Sequence, residues 1–198
     1  MAGVDEVGRG ALFGPVVAAA VILDPERRIR GLNDSKQLDP AERERLAGLI
    51  RRHALAISVA AVDAGRIDQI NIYQASRLAM RRAVETLPAA PDYLLVDAMS
   101  LDLPLPQRAI LQGDARSISI AAASILAKVE RDHWMQLWHS VFPAYNLASH
   151  KGYATPEHLA ALERHGPTAL HRRSFAPVAA RSLYPDDRLP ENLELFPA

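Results

Sequence analysis

Four carboxylates stand where they can do chemistry: Asp5 and Glu6, adjacent near the start of the chain, Asp97 at the end of the apolar run Leu94-Leu95-Val96, and Asp132 in a long alanine-rich stretch. Hydrolysis of a phosphodiester with divalent cations needs several carboxylates converging on one spot. Hard cations such as magnesium take oxygen ligands and keep some of their waters. Two of them about 4 Å apart can activate the attacking water and stabilise the leaving oxygen. A carboxylate that closes a buried strand is poorly solvated and calls for a partner. Ser124, Lys128 and Asp132 recur at every fourth residue, which on a helix forms one polar stripe. Each acid alone also fits a plainer role: a hairpin end for Asp5-Glu6, a strand-end turn for Asp97, and a solvated ion pair with Lys128 or Arg131 for Asp132.

The elements that must position these groups can be read from the apolar pattern. Val4 begins a short strand cut by Gly8-Arg9-Gly10, and Val16 to Leu23 is a second, mostly buried strand, so the two form a hairpin. Asp39-Pro40-Ala41-Glu42 predicts a helix start, with Asp39 as cap, Pro40 in the first turn and Glu42 completing a capping box. That helix should run to about His53, followed by a strand over Ala54 to Val62. A helix is expected from Ile67 to about Leu87, a strand from Tyr93 to Val96 ending at Asp97, and a short strand from Arg108 to Leu111. Ser117 to about His139 reads as a long helix whose alanines allow close approach to a sheet. Thr155-Pro156-Glu157 starts another helix, stopped by Gly166-Pro167. Strands come first as a meander and then alternate with helices. The expected class is therefore α/β, a mixed sheet with helices on both faces, in which Asp5 and Asp97 can occupy neighbouring central strands.

The whole chain sets further bounds. Its 198 residues suit one domain, 49% of them are apolar and 23% charged, and no cysteine is present. Thiolate metal sites and disulfides are thereby excluded. Formal net charge is zero, which argues against a sequence-indifferent DNA coat with a strongly basic face. The basic residues do cluster locally. Between 150 and 181, Lys151, Arg164, Arg172, Arg173 and Arg181 face only Glu157 and Glu163, and four of the seven histidines lie there too. Residues 182–198 reverse the sign and contain several prolines, so a catalytic body over 1–181 with an acidic tail over 182–198 is expected. The polar opening Met1 to Glu6 does not fit a signal peptide, and Val16 to Leu23 is too short to span a bilayer. A cytoplasmic protein without a membrane segment, and with nothing that requires a dimer, is the expectation.

Several blocks resemble the type 2 ribonucleases H, the ribonuclease HII family. Asp5-Glu6-Val7-Gly8-Arg9-Gly10 with Gly14-Pro15-Val16-Val17-Ala18-Ala19 is similar to the family's opening motif, and Asn33-Asp34-Ser35-Lys36 to its next block. Gly113-Asp114, continuing through Ser119 to Asp132, resembles its most recognisable helix. Ser149 to Thr155 and His171 to Phe175 resemble its last two blocks. The blocks follow family order over most of the chain. The resemblance implies a ribonuclease H-like three-layer fold, a five-stranded mixed sheet flanked by helices with a small C-terminal helical appendage over about 143–181 that contacts substrate. It implies Asp5, Glu6, Asp97 and Asp132 as catalytic, metal-binding carboxylates for magnesium or manganese. It further implies cleavage of RNA–DNA hybrids, and of duplex DNA on the 5′ side of single embedded ribonucleotides, leaving a 3′-hydroxyl and a 5′-phosphate.

Only the 2′-hydroxyl separates a ribonucleotide from its deoxy neighbour, and it is read by hydrogen bonds. Gly8 and Gly10 would let the backbone approach the sugar, Arg9 would add contact and charge, and Tyr153 would offer a flat surface to the sugar at the junction. Lys36, Lys128, Lys151, Arg172 and Arg173 are candidates for phosphate contacts, and Ser124 for support of the site. Ala11 stands where the family usually has proline and Phe13 where it often has a small residue, so loop rigidity or substrate preference could differ. Asn192-Leu193-Glu194-Leu195-Phe196 resembles a bacterial sliding-clamp docking motif, with asparagine in place of the usual glutamine. Other two-metal nucleases of this fold, a non-catalytic hybrid-binding module and an acidic-site phosphatase remain as alternatives at this point.

Overall fold

The computed structural model describes residues 1–181. Asn192 to Phe196 and the rest of the acidic tail lie outside the described residues. Five strands form one sheet in the order β3-β2-β1-β4-β5. They are β1 (Ala2–Val7), β2 (Val16–Ile22), β3 (Ala56–Val62), β4 (Leu94–Asp97) and β5 (Gln107–Ile110). β1, β2 and β3 are an antiparallel meander, whereas β4 joins β1 in parallel and β5 joins β4 in parallel. The sheet is mixed, as the meander-then-alternation pattern predicts.

Strand alternation divides the core into two layers. Ala18, Ala20 and Ile22 of β2 point to one face, against Ala75, Ala79 and Met80 of α2 (Ala64–Glu85). Ala19 and Val21 point to the other, against Leu46 and Ile50 of α1 (Pro40–His53) and Ala122, Ile125 and Leu126 of α4 (Ile118–Val141). Two faces with period two, each covered by an apolar helical stripe, make the three layers. Small residues let α4 lie close on β1. A Cβ at Gly3 would come within 2.1 Å of the Ser119 backbone.

Local capping explains most boundaries. Asp39 accepts a hydrogen bond from the Glu42 amide at 2.9 Å and caps α1. The reciprocal half of the expected capping box is replaced by an ion pair, because Glu42 turns to Arg45 at 2.6 Å. α2 begins three residues before the expected Ile67, since Asp63 caps it through the Arg66 amide. It is bent at Asn71, whose φ of 64° interrupts the helix and whose side chain caps the second half through Gln74. Ser117 caps α4. Ile118, in the first turn of α4, is 66% exposed.

The segment after α4 is a short 3-10 turn (Pro143–Tyr145), α5 (Leu147–His150), α6 (Pro156–His165) and α7 (Ala176–Ala179). It shares a core with the 12–17 stretch and the end of α4, through Phe13, Trp138, Tyr145, Leu147, Leu162 and Val178. Asp68 of α2 pins its last loop, accepting from the Arg173 amide at 2.8 Å and the Ser174 amide at 2.9 Å. No described helix is long and apolar enough to cross a membrane.

Candidate metal and ribose-reading site

β1 and β4 are adjacent and parallel, so the acids near their C-terminal ends meet. Carboxylate oxygens of Asp5, Glu6 and Asp97 all lie within 4.8 Å of one another. Asp5 is 5% exposed, and the Glu6 side chain 6%. Burial raises the Asp5 carboxyl well above its usual range, and the charges of Glu6 and Asp97 add to the effect. Burial likewise raises Glu6 and Asp97. Glu6 Oε2 is buried without a hydrogen-bond partner. A buried, repelling set of hard oxygen donors with one oxygen unsatisfied fits a divalent cation bound by carboxylates.

A fourth acid, Asp114 rather than Asp132, stands close enough for its charge to act on Asp97. α3 (Gly113–Arg116) follows β5, and its first amide, Gly113 N, donates to Asp97 Oδ1 at 2.7 Å. The next residue, Asp114, is 8% exposed and its charge helps to raise Asp97. Lys36 reaches Asp114 Oδ2 at 3.5 Å. Burial works against the Lys36 ammonium, but Asp34, Asp114 and Asp5 outweigh it and raise its pKa.

The polar stripe of α4 reaches the site only at Ser124. Its hydroxyl is near enough to Asp5 to favour the ionised carboxylate, and lies 3.0 Å from Ser35 Oγ, which ties the 33–36 loop to the site. Asp132 is two helical turns further on, about 12 Å along the axis. It pairs with Lys128 Nζ at 2.7 Å and is not a member of the acidic group. The even spacing that placed Asp132 on the right face carries it too far along the helix. Asp114 gave a weaker signal, a lone acid between Gly113 and Ala115 just after a short strand. The motif containing it also contains Asp132.

Beside the acids, the chain leaves β1 through Gly8-Arg9-Gly10. Gly8 has φ of 89°, and a Cβ there would stand 2.2 Å from Arg131 Nε, so this position admits only glycine without rearrangement. Gly10 has open space, with Tyr153 Cε1 nearest at 3.9 Å. Tyr153 is 36% exposed and bridges Ala11 as an isolated β pair. Arg9 is exposed and pairs with Glu6 at 3.4 Å.

Two arginines hold this loop from below. Arg131 is fully buried, donates to Phe13 O, Pro15 O and Lys151 O, and lies 5.5 Å from the Tyr153 ring centroid. Arg172 is fully buried and donates to Arg9 O at 2.8 Å and Gly14 O at 2.9 Å. The expectation that Arg172 contacts a phosphate is corrected: burial removes it from solvent and pulls its pKa down to about 9. Lys36 remains exposed, and Lys128 and Lys151 are half-buried, Lys151 donating to Ala148 O. Arg173 is half-buried on the loop that Asp68 anchors. Phe13, expected as a modifier of substrate preference, points into the core, edge-on to Trp138, Phe142 and His171.

A family model described as ribonuclease HII matches residues 2–178. A ribonuclease HII of Solibacter usitatus (strain Ellin6076) is 65% identical over 196 residues, 99% of this chain and 86% of that protein. Among solved structures, the ribonuclease H2 of Pyrococcus horikoshii OT3 superposes with a TM-score of 0.80 at 26% identity, covering 91% of this chain and 96% of that one. The ribonuclease HII of Archaeoglobus fulgidus, solved in complex with PCNA, gives a TM-score of 0.68 at 28% identity, covering 82% and 85%.

Proposed function

Because the chain belongs to the ribonuclease HII family, we propose that it hydrolyses the RNA strand of RNA–DNA hybrids and cuts duplex DNA on the 5′ side of single embedded ribonucleotides. The observation that carries this reading is the adjacency of two parts: the carboxylates of buried Asp5 and partly buried Glu6 and Asp97 within 4.8 Å of one another, and the Gly8-Arg9-Gly10 turn facing Tyr153.

Asp5, Glu6, Asp97 and Asp114 would hold the divalent ions, magnesium or manganese and two in the substrate complex, with Asp114 taking the place first expected of Asp132. Bound there, such ions supply neutralisation of phosphodiester charge and a readily ionised water. The water oxygen joins phosphorus as the P–O3′ bond breaks, which leaves a 3′-hydroxyl and a 5′-phosphate. The Ser124 hydroxyl, which favours the ionised form of Asp5, would help to orient that carboxylate. Backbone groups of Gly8 to Gly10 accept or donate to the 2′-hydroxyl, and the Tyr153 ring supports the sugar. Lys36, Lys128, Lys151 and Arg173 contact flanking phosphates and position the duplex without reading its sequence. The acidic tail would dock a sliding clamp through Asn192 to Phe196, in keeping with the PCNA complex of the Archaeoglobus fulgidus relative. The setting would be cytoplasmic repair of ribonucleotides left in DNA, carried out by a monomer.

The test uses an end-labelled DNA duplex with one ribonucleotide beside an all-DNA control, in magnesium and in chelator. Metal-dependent cutting only 5′ of the ribonucleotide, lost in Asp5→Asn, is the expected result. No cutting, or equal cutting of the control, would overturn it in favour of a binding module or a general nuclease.

A further inference from the structure

Three of the histidines clustered in the C-terminal segment meet directly behind Tyr153. His158 on α6 and His171 are essentially unexposed. His150 of α5 stacks on His158 with ring centroids 4.6 Å apart. Tyr145 lies 5.0 Å from His171 and 6.1 Å from His165, and Phe13 stands edge-on to His171 at 4.9 Å.

The hydrogen bonds assign every proton in this group. The Thr168 amide donates to His171 Nδ1 at 2.9 Å, so that nitrogen is an acceptor and the His171 proton sits on Nε2. His171 Nε2 faces His158 Nε2 at 3.1 Å, which must then be bare. The His158 proton is therefore on Nδ1, which donates to Tyr153 O at 3.0 Å. Independently, the Gly152 amide donates to His150 Nδ1 at 3.2 Å, which leaves His150 Nε2 to donate to Tyr145 O at 2.7 Å. One neutral tautomer per ring satisfies every contact. Reversing the His158–His171 pair sets two protons or two lone pairs face to face. The chain starts at a backbone amide and ends on the carbonyl of Tyr153. The Tyr153 amide is held too, by His150 O at 3.0 Å. His171 also pairs through its backbone with Phe13, so the network joins the turn bearing Tyr153 to the stretch that follows Gly10.

We propose that His171 and His158 are positioning residues for ribose recognition, a proton-ordered chain from Thr168 N to Tyr153 O that fixes where the Tyr153 ring stands beside the sugar. The proposal rests on the reading of Tyr153 as the sugar's support; neither histidine touches substrate. Charge is unwelcome throughout the chain. Burial lowers both rings, and His158 and Arg173 help to bring His171 down to about 3. His150 adds to the lowering of His158. The other titratable neighbours are Tyr145, itself raised by burial, and His165 on the far side of Tyr145.

Two measurements test this on the whole chain. Nitrogen-15 NMR of the native protein at neutral pH should show the Nδ1–H tautomer for His158 and the Nε2–H tautomer for His150 and His171; any other pattern overturns the chain. The second compares His158→Asn, which keeps an N–H donor near the Nδ1 position, with His158→Leu, which has none. Binding is read in an Asp5→Asn background in magnesium, as preference for a duplex with one ribonucleotide over all-DNA duplex. The leucine variant should lose about fivefold to tenfold of that preference, the asparagine variant less than about twofold, and all-DNA binding should not move. A folded leucine variant with full preference, or equal losses in both, overturns the proposal. The unsubstituted background is measured first: no ribonucleotide preference there would overturn the reading of Tyr153 itself, which the tautomer pattern does not test.

Discussion

Lys128 Nζ lies 2.7 Å from Asp132 Oδ1, one helical turn along α4, and each side chain is only 17% exposed. Asp132 is thus paired away from the acidic cluster, whereas Asp114, itself paired with Lys36 at 3.5 Å, stands near Asp97. Asp114→Asn is expected to lower cleavage by roughly a hundredfold or more, the scale of removing one group that stabilises transition-state charge. Asp132→Asn should cost less than about tenfold, through the loss of Lys128 orientation. Cleavage rates in saturating magnesium decide; equal losses would restore Asp132 to the site.

Metal should stabilise the fold, and the effect should depend on pH. The folded-state pKa values of Asp5, Glu6 and Asp97 are raised above their ordinary values. Unfolded carboxylates titrate near about 4, so above that the unfolded chain binds fewer protons than the folded one. Metal-free stability therefore falls as pH rises from about 4 through the raised folded values, then levels off. Magnesium at about a hundred times its Kd should add about 2.7 kcal/mol, a rise of roughly 5–10 °C in Tm. The rise should be larger at pH 7.5 than at pH 5, where protons compete. An unchanged Tm at saturating magnesium would count against a preformed site.

Gly8 and Gly10 should respond differently to alanine. At Gly8 the added methyl meets the Arg131 side chain at 2.2 Å in a left-handed backbone, so Gly8→Ala should cost about 1–3 kcal/mol of stability. At Gly10 the nearest atom is 3.9 Å away, so Gly10→Ala should fold normally. Its methyl would narrow the gap in front of Tyr153, and cutting at the ribonucleotide should fall at least as far as for Gly8→Ala. Thermal melts and cleavage assays on the two proteins separate scaffold from recognition. Normal cutting by Gly10→Ala would remove this turn from the sugar site.

The two kinds of cation in the basic segment can be told apart by salt. If Lys151 meets a phosphate, Lys151→Gln should reduce the slope of log K against log salt by about 1 and weaken binding evenly across sequences. Arg172→Lys should leave that slope unchanged while lowering Tm, because Arg172 is buried with Nε and Nη1 donating to Gly14 O and Arg9 O. A reduced slope for Arg172→Lys would place that residue back in the duplex contact.

Removal of residues 191–198 should abolish binding to the organism's sliding clamp and leave cleavage of a short duplex unchanged. Surface plasmon resonance with immobilised clamp gives the first readout. Undiminished clamp affinity would end the assignment of Asn192 to Phe196 as a docking motif.

Much of this architecture was legible in the chain. The β1–β2 hairpin, the Asp39 cap and the placement of Asp5 beside Asp97 follow from apolar runs, turn chemistry and strand order. The start of α2 was less legible, because Ala64 to Arg66 carry little apolar signal and only Asp63 marks the cap. Helical spacing reports which face a residue occupies but not how far along the axis its partner lies, which is why Asp132, on the expected stripe, pairs with Lys128 outside the cluster of Asp5, Glu6 and Asp97. The fate of Arg131 and Arg172 was hidden as well. Nothing local distinguishes an arginine that meets phosphate from one that binds carbonyls contributed by residues more than a hundred positions away. Only the histidine count between 150 and 181 hinted at a buried polar network there.

Glu6 ends among the clustered carboxylates and Gly8 opens the Gly8-Arg9-Gly10 turn, both on one uninterrupted stretch of backbone leaving β1. Two residues of extended chain span about 7 Å. In the proposed complex the interval between the recognised sugar and the severed bond is thus a covalent ruler, with no hinge or domain interface in it. In that complex selection could alter the grip on the duplex through Lys36 or Lys151, yet the nucleotide cut would stay locked to the one read.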